Sequence, residues 1–263
     1  MFLILLFVFL ISLFWGSFLN VVAYRSIHER SFFEPRSKCN FCNKTIPFYD
    51  NFPVISWFLL HGKCRFCQKY ISILYPIIEI LTAFILTSIF FKIFYFYGFF
   101  IFSINSIIYF ISYIIFFSAL IVATRTDLEA LVIPQIFTLW LTPLGILLSH
   151  FDAIEISIYE SVIGAAFGYS VLWLIAKIFT YFTQKEGLGV GDMELLAMIG
   201  AFLGPIGVWF CMLTGSFLGL ITASIYIFAT KKNTSTQIPF GPFLALGATI
   251  YFFFQDYFVC IFF

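Results

Sequence analysis

Long apolar runs separated by short polar breaks dominate this chain. They occupy about 2–24, 71–91, 99–123, 132–150, 157–180, 205–230 and 239–260, with a shorter run at 193–203. Roughly twenty residues of helix cross the ~30 Å hydrocarbon layer of a bilayer, so each long run predicts a membrane span. Gly204-Pro205 separates the short run from its successor, and proline ends or kinks a helix. Two helices are expected there, and about eight in all. The first run has no basic segment ahead of it and no small-residue cleavage site, and its positive charges (Arg25, Arg30) follow it. It therefore reads as a retained first span rather than a signal peptide. The stretch 25–70 is the one long polar segment.

Composition narrows the class. Hydrophobic residues make up 62% of the 263 and charged residues 10%, against about 25% charged in soluble domains. Mean hydropathy is +1.04. An ordinary soluble enzyme and a disordered chain are excluded. So is a nucleic-acid binder, which needs a basic excess, because 14 Lys and Arg meet 13 Asp and Glu. Membrane lipid is the expected surrounding. With the N-terminus outside, the basic residues at 25, 30, 36, 38, 44, 63, 65, 69, 125, 185, 231 and 232 all become cytoplasmic. Lys177 sits at a cytoplasmic helix end, where it can snorkel, and Lys92 alone lies outside. That is a strong positive-inside pattern.

Four of the six cysteines form Cys39-x2-Cys42 and Cys64-x2-Cys67 within the polar stretch. The charge rule puts them in the reducing cytoplasm, where disulfides are disfavoured. Two knuckles of this spacing supply four thiolates to a structural Zn2+, and the metal would give folding free energy to a loop with little core. Cys211 and Cys260 lie in apolar runs and read as packing residues.

Two carboxylates stand at the ends of spans on the same expected face. Asp127 follows the third span in Thr126-Asp127-Leu128, and Asp192 opens the sixth in Gly187-Leu-Gly-Val-Gly-Asp192. Two carboxyl groups brought together share a proton. One then serves as base toward water while the other polarises a carbonyl. Gly189 and Gly191 remove side chains where a substrate backbone would approach. Taken singly, Asp192 is also explained as a helix N-terminal acid and Asp127 as a partner of Arg125. Glu129 and Glu194 read as surface or helper groups. The pairs Gly164/Gly168, Gly200/Gly204 and Gly215/Gly219 read as helix-packing contacts.

Gly189-Val-Gly-Asp192 with an upstream aspartate resembles the membrane GxGD aspartic peptidases. Gly16-Ser-Phe-Leu-Asn20-Val-Val-Ala-Tyr-Arg25, Arg36-Ser-Lys-Cys39-Asn-Phe-Cys42 and Asp50-Asn-Phe-Pro-Val-Ile-Ser-Trp57 narrow the resemblance to bacterial prepilin peptidases. Gly62-Lys-Cys64-Arg-Phe-Cys67, Tyr75-Pro-Ile-Ile-Glu79 and Pro239-Phe-Gly-Pro242 follow in family order. The resemblance implies an inner-membrane enzyme, active on the cytoplasmic side, that cuts the leader from type IV prepilins or pseudopilins. It implies N-methylation of the new terminus with S-adenosylmethionine. Asp127 and Asp192 match the catalytic pair, and the four cysteines match the zinc loop. Gly16, Asn20, Arg25 and Glu79 match motifs linked with methyl transfer. Glu79 lies inside a span and needs a partner, for which Arg25 is the candidate.

The expected fold is thus an all-α polytopic membrane protein of about eight transmembrane helices with a small cytoplasmic zinc-binding loop domain. Residues 1–24 form the first helix, 25–70 the cysteine loop, and 71–263 a seven-helix peptidase domain. Three other classes compete. A metal-dependent hydrolase lacks an HExxH helix, its histidines (His28, His61, His150) being scattered. A proton- or cation-coupled transporter would place its carboxylates at the bilayer midplane. A scaffold leaves the glycine loop unexplained.

Overall fold

The computed structural model describes residues 2–32, 37–96, 103–184, 187–230 and 238–262, and their regular elements are helices. Arg36, Lys185, Lys231 and Lys232 of the charge pattern lie outside the described residues. Among the described residues, eight α-helices follow one another: α1 (Phe2–Ile27), α2 (Ile55–Leu59), α3 (Leu74–Phe91), α4 (Ile104–Ala130), α5 (Leu141–His150), α6 (Ile158–Thr183), α7 (Val190–Thr230) and α8 (Gly241–Phe262). Among the described residues, five stretches are long and apolar enough to cross a membrane: Phe2–Ile27, Leu74–Tyr95, Ile104–Ala130, Ile158–Thr183 and Val190–Tyr226.

The chain divides into two compact units, Met1–Arg125 and Thr126–Phe263. In the first, α1 and α3 run antiparallel. The Asn20 side-chain amide donates to the Tyr75 carbonyl (3.1 Å), a Cβ on Gly16 would fall 2.8 Å from the Glu79 Cα, and Phe9 meets Phe84 edge-on at 5.4 Å. The first part of α4 joins them through Phe110 against Phe90 and Phe94 and through a bond from Trp15 to the Ser118 hydroxyl (2.9 Å). Lys92, the one basic residue expected on the outer side, is buried where a π-helical turn extends α3.

In the second unit, α6 starts from a capping box in which Ser157 and Glu160 satisfy each other's backbone amides. The small residues do what their spacing implies: a Cβ on Gly164, Gly168 or Gly200 would overlap backbone atoms of the facing helix, so α6 and α7 touch main chain to main chain. The break expected at Gly204-Pro205 is present. Gly204 has φ 73° and ψ −179° inside α7, a conformation open to glycine, and Pro205 restarts the helix. The run 132–150 departs from the expected single span. Pro134 leads into a 3-10 turn (Gln135–Phe137), Thr138 leaves helical geometry, and only the ten residues of α5 form α-helix, about 15 Å at 1.5 Å per residue.

Candidate active site and cysteine cluster

Asp127 is buried in the last turn of α4. That helix stops with Leu131 in left-handed conformation (φ 56°), its amide bonded back to the Asp127 carbonyl (2.9 Å). The reversal delivers Ile133 to the first turns of two other helices. A Cβ on Gly191 would fall 3.0 Å from the Ile133 Cβ, and a Cβ on Gly241 would fall 3.1 Å from its Cδ1 and 2.9 Å from the Asp127 Oδ2. Ile133 is therefore wedged between the starts of α7 and α8. The Gly241 amide donates to the Asp127 Oδ2 (2.9 Å).

Asp192 stands in the first turn of α7, with its amide bonded to the Gly189 carbonyl (3.2 Å). Its neighbour Gly191 packs against Ile133, six residues past Asp127. The Asp192 Oδ1 is buried without a hydrogen-bond partner, an arrangement that calls for explanation in a folded protein. The two candidate loop glycines differ. Gly191 is covered by Ile133, so protein fills the space left by its missing side chain. Around Gly189, among the described residues, only the Asp192 Oδ2 comes within reach of a Cβ, at 3.4 Å.

Of the two readings open for Glu194, surface or helper group, the buried position fits the helper. It is 4% exposed, and its carboxylate accepts from the Gln135 side chain (2.7 Å) and the Thr138 hydroxyl (3.2 Å). It thereby ties the segment that carries Ile133 to α7. Glu129 is exposed, as expected. Sequence reasoning gave no role to Gly241 or Ile133. The signal for Gly241 was the turn sequence Pro239-Phe-Gly-Pro242 opening an apolar run.

The four knuckle cysteines gather at one place, their sulfurs all within 4.8 Å of one another. The two knuckles repeat each other. The Cys39 amide donates to the Lys44 carbonyl and the Cys64 amide to the Lys69 carbonyl, while the amides of Asn43 and Gln68 return to Cys39 and Cys64. Asn43 and Gln68 both have positive φ (55° and 57°). The pairing is reciprocal: Lys44 lies over the Phe66 ring at 5.0 Å and Lys69 over the Phe41 ring at 5.2 Å. Burial pushes the Cys39 thiol up, but backbone N–H groups of Cys42 and Phe41 and the neighbouring thiols outweigh it and bring it down to about 7. The Lys69 amide pulls the Cys67 thiol down, yet desolvation and the other three sulfurs push it up to about 11. Crowded sulfurs of this kind resist ionising together unless a cation joins them.

Comparison with known proteins places these sites in one lineage. Residues 10–93 match the Bacterial Peptidase A24 N-terminal domain, and residues 114–224, which hold both aspartates, match the Type IV leader peptidase family. A Prepilin leader peptidase/N-methyltransferase from Aeromonas hydrophila is 34% identical over 92% of this chain and 88% of its own length. The chain belongs to the type IV leader peptidase family. A family member of the same name from Pectobacterium carotovorum subsp. carotovorum is 32% identical over 88% of this chain and 86% of its own. The "Type 4 prepilin-like proteins leader peptide-processing enzyme" of Escherichia coli O78:H11 is 33% identical over 90% and 89%. No solved structure gives a significant match. None of these relatives supports the transporter reading.

Within this leader peptidase family member, the four residues matched to methyl transfer lie in the first unit, and each is committed to protein groups. Gly16 is filled by the backbone of α3. Asn20 gives its amide to Tyr75 and accepts from the buried Arg125 at 3.4 Å. Glu79 accepts from the Val54 amide (2.7 Å). Glu79 is thus met by Val54 rather than by the candidate Arg25, whose guanidinium donates to the Phe32 carbonyl (2.6 Å).

Proposed function

We propose that this protein is a membrane aspartic endopeptidase that removes the leader peptide of type IV prepilins or pseudopilins, with Asp127 and Asp192 as its catalytic pair. The observation carrying this reading is that Ile133, six residues past Asp127, packs against Gly191, the neighbour of Asp192, in a chain of this family. One carboxylate takes a proton from water while the other, protonated, polarises the scissile carbonyl. The Gly241 amide occupies one oxygen of Asp127, which fixes the orientation of the carboxyl plane. The buried, unpartnered Asp192 Oδ1 is the atom whose missing partner the attacking water supplies. Gly189, beside Asp192, is where a substrate strand approaches. The reaction face is cytoplasmic in the topology that supports this reading, with an outside N-terminus and an inner-membrane location.

The knuckles hold a structural zinc ion in the same reading. Sulfurs about 2.3 Å from a tetrahedral Zn2+ lie about 3.8 Å apart, and the Cys39 and Cys67 sulfurs are 3.8 Å apart. Four thiolates leave no open position for catalysis. N-methylation of the new terminus, with S-adenosylmethionine as methyl donor, accompanies cleavage on the strength of the relatives named Prepilin leader peptidase/N-methyltransferase. Gly16, Asn20 and Glu79 do not fit a donor cradle, because their free space or polar atoms are taken by protein. No methyl-transfer step is assigned to them.

Asp127→Asn and Asp192→Asn test the dyad. Each should lower the cleavage rate of a prepilin leader peptide by at least the ~10²–10⁴-fold typical of a general acid–base group. The double variant should be hardly worse, because the pair acts as a unit. Near-normal processing by either folded single variant would overturn the assignment.

A further inference from the structure

We propose that Ile46–Leu60, inside the stretch expected to be a water-exposed loop, is a lipid-inserted wedge. Its partner is the leaflet at the Ile27 end of α1. The inference needs only the membrane helices of the first unit and is independent of the peptidase chemistry.

Depth is the first support. Asn20 of α1 bonds to Tyr75, one residue inside the start of α3, so this level marks the rim of the helix pair. The loop does not stay at the rim. Phe52 packs edge-on against Phe14, with centroids 5.8 Å apart, and Phe14 lies six residues, about 9 Å, further along α1 toward the membrane interior. The Val54 amide bonds Glu79, four residues or about 6 Å past Tyr75. These depths match the ~5–10 Å at which interfacial helices lie in a bilayer.

Backbone chemistry is the second. Lipid tolerates non-helical backbone only where its polar groups are satisfied inside the protein. The Ile55 amide bonds the Pro53 carbonyl (2.6 Å), closing a tight turn at Val54 (φ 62°, ψ −55°). Amides of Asp50, Ser56, Phe58 and Leu60 bond Pro47, Phe52, Val54 and Ser56. The Ser56 hydroxyl bonds the Tyr49 carbonyl (3.1 Å). Pro47 and Pro53 carry no N–H.

Side-chain chemistry is the third. Asp50 is the sole charge in Ile46–Leu60, and Arg65 neutralises it through two bonds of 2.6 and 2.7 Å. Phe48 and Leu59 are 82% and 73% exposed, and Ile55 and Phe58 more than half. That apolar face continues onto the exposed Phe14 and Phe18 of α1. In water it would be a costly patch; in the leaflet it is the surface lipid requires. The lysines of the region, Lys38, Lys44, Lys63 and Lys69, all lie in the cysteine knuckles, outside the segment.

The test places a nitroxide side chain, as a non-canonical amino acid, at position 59 and, separately, at position 44. The full zinc-loaded chain is reconstituted in phosphatidylethanolamine–phosphatidylglycerol vesicles. The ratio of collisions with O2 to collisions with nickel–ethylenediaminediacetate should be several-fold higher at 59 than at 44. Equal ratios would put the segment in water and overturn the proposal. Protection from both reagents at 59 would mean that protein, a second copy or another partner, covers the face, and would overturn it too. Position 48 gives the same readout if the first variant fails to insert.

Discussion

Replacing Gly241 by alanine perturbs the aspartate pair without removing either acid. The new Cβ would stand 2.9 Å from the Asp127 Oδ2 and 3.1 Å from the Ile133 Cδ1, where ordinary contacts begin at 3.4 Å. The carboxylate has to retreat by about half an ångström, enough to distort the 2.9 Å bond from the Gly241 amide. A hydrogen bond to a charged group contributes ~1.5–3 kcal/mol, which corresponds to roughly 10- to 150-fold in rate at 1.4 kcal/mol per decade. A 1 Å misplacement of a reacting group costs a similar ~10²-fold. The clash is with the end of a side chain, so the melting temperature should move little. Cleavage of a leader peptide in detergent should therefore show a kcat drop within that range and a nearly unchanged KM. Gly219→Ala is the control, since its Cβ would meet nothing closer than 3.6 Å. Normal kcat in folded Gly241→Ala would refute the idea that the α8 start holds Asp127 for catalysis.

Cys64→Ser should lower bound metal from about one zinc per chain and reduce thermal stability, while molecules that stay folded keep cleaving; elemental analysis of an active, reduced preparation without zinc would contradict this. Glu194→Ala leaves the Gln135 and Thr138 side chains without their acceptor, so it should cost ~1–3 kcal/mol of stability and slow cleavage. Glu194→Gln, which still accepts from Gln135 and can donate to Thr138, should restore both, and an alanine variant of normal stability and rate would sink the clamp. Glu79→Ala should expose the Val54 turn to proteolysis by stranding its amide, whereas Glu79→Gln retains an acceptor and should protect it. Equal proteolysis of the two variants would show that the bond does not hold the turn, and cleavage by the aspartate pair should persist in both.

What the sequence determined by itself is whatever local chemistry encodes. Apolar runs report transfer into lipid residue by residue, so the membrane class and most helices were legible, as was the break at Gly204-Pro205, where backbone sterics act over two residues. The CxxC knuckles were legible because metal ligation demands fixed short spacing, and the aspartates because charge at a span end is costly. The run 132–150 misled because hydropathy does not register how Pro134 and Thr138 interrupt a helix. Other features depended on contacts between residues far apart in the chain. Ile133 sits between Gly191 and Gly241 only because Leu131 reverses the backbone. Glu194 is buried only because Gln135 and Thr138 reach it, and a carboxylate at a helix start looks the same in sequence whether it meets water or protein. The stretch containing Phe52 and Val54 read as polar loop because its flanking lysines dominate the average. Its depth beside Phe14 and Glu79 was decided by the packing of α1 on α3, since side-chain satisfaction across helices has no periodic signature along the chain.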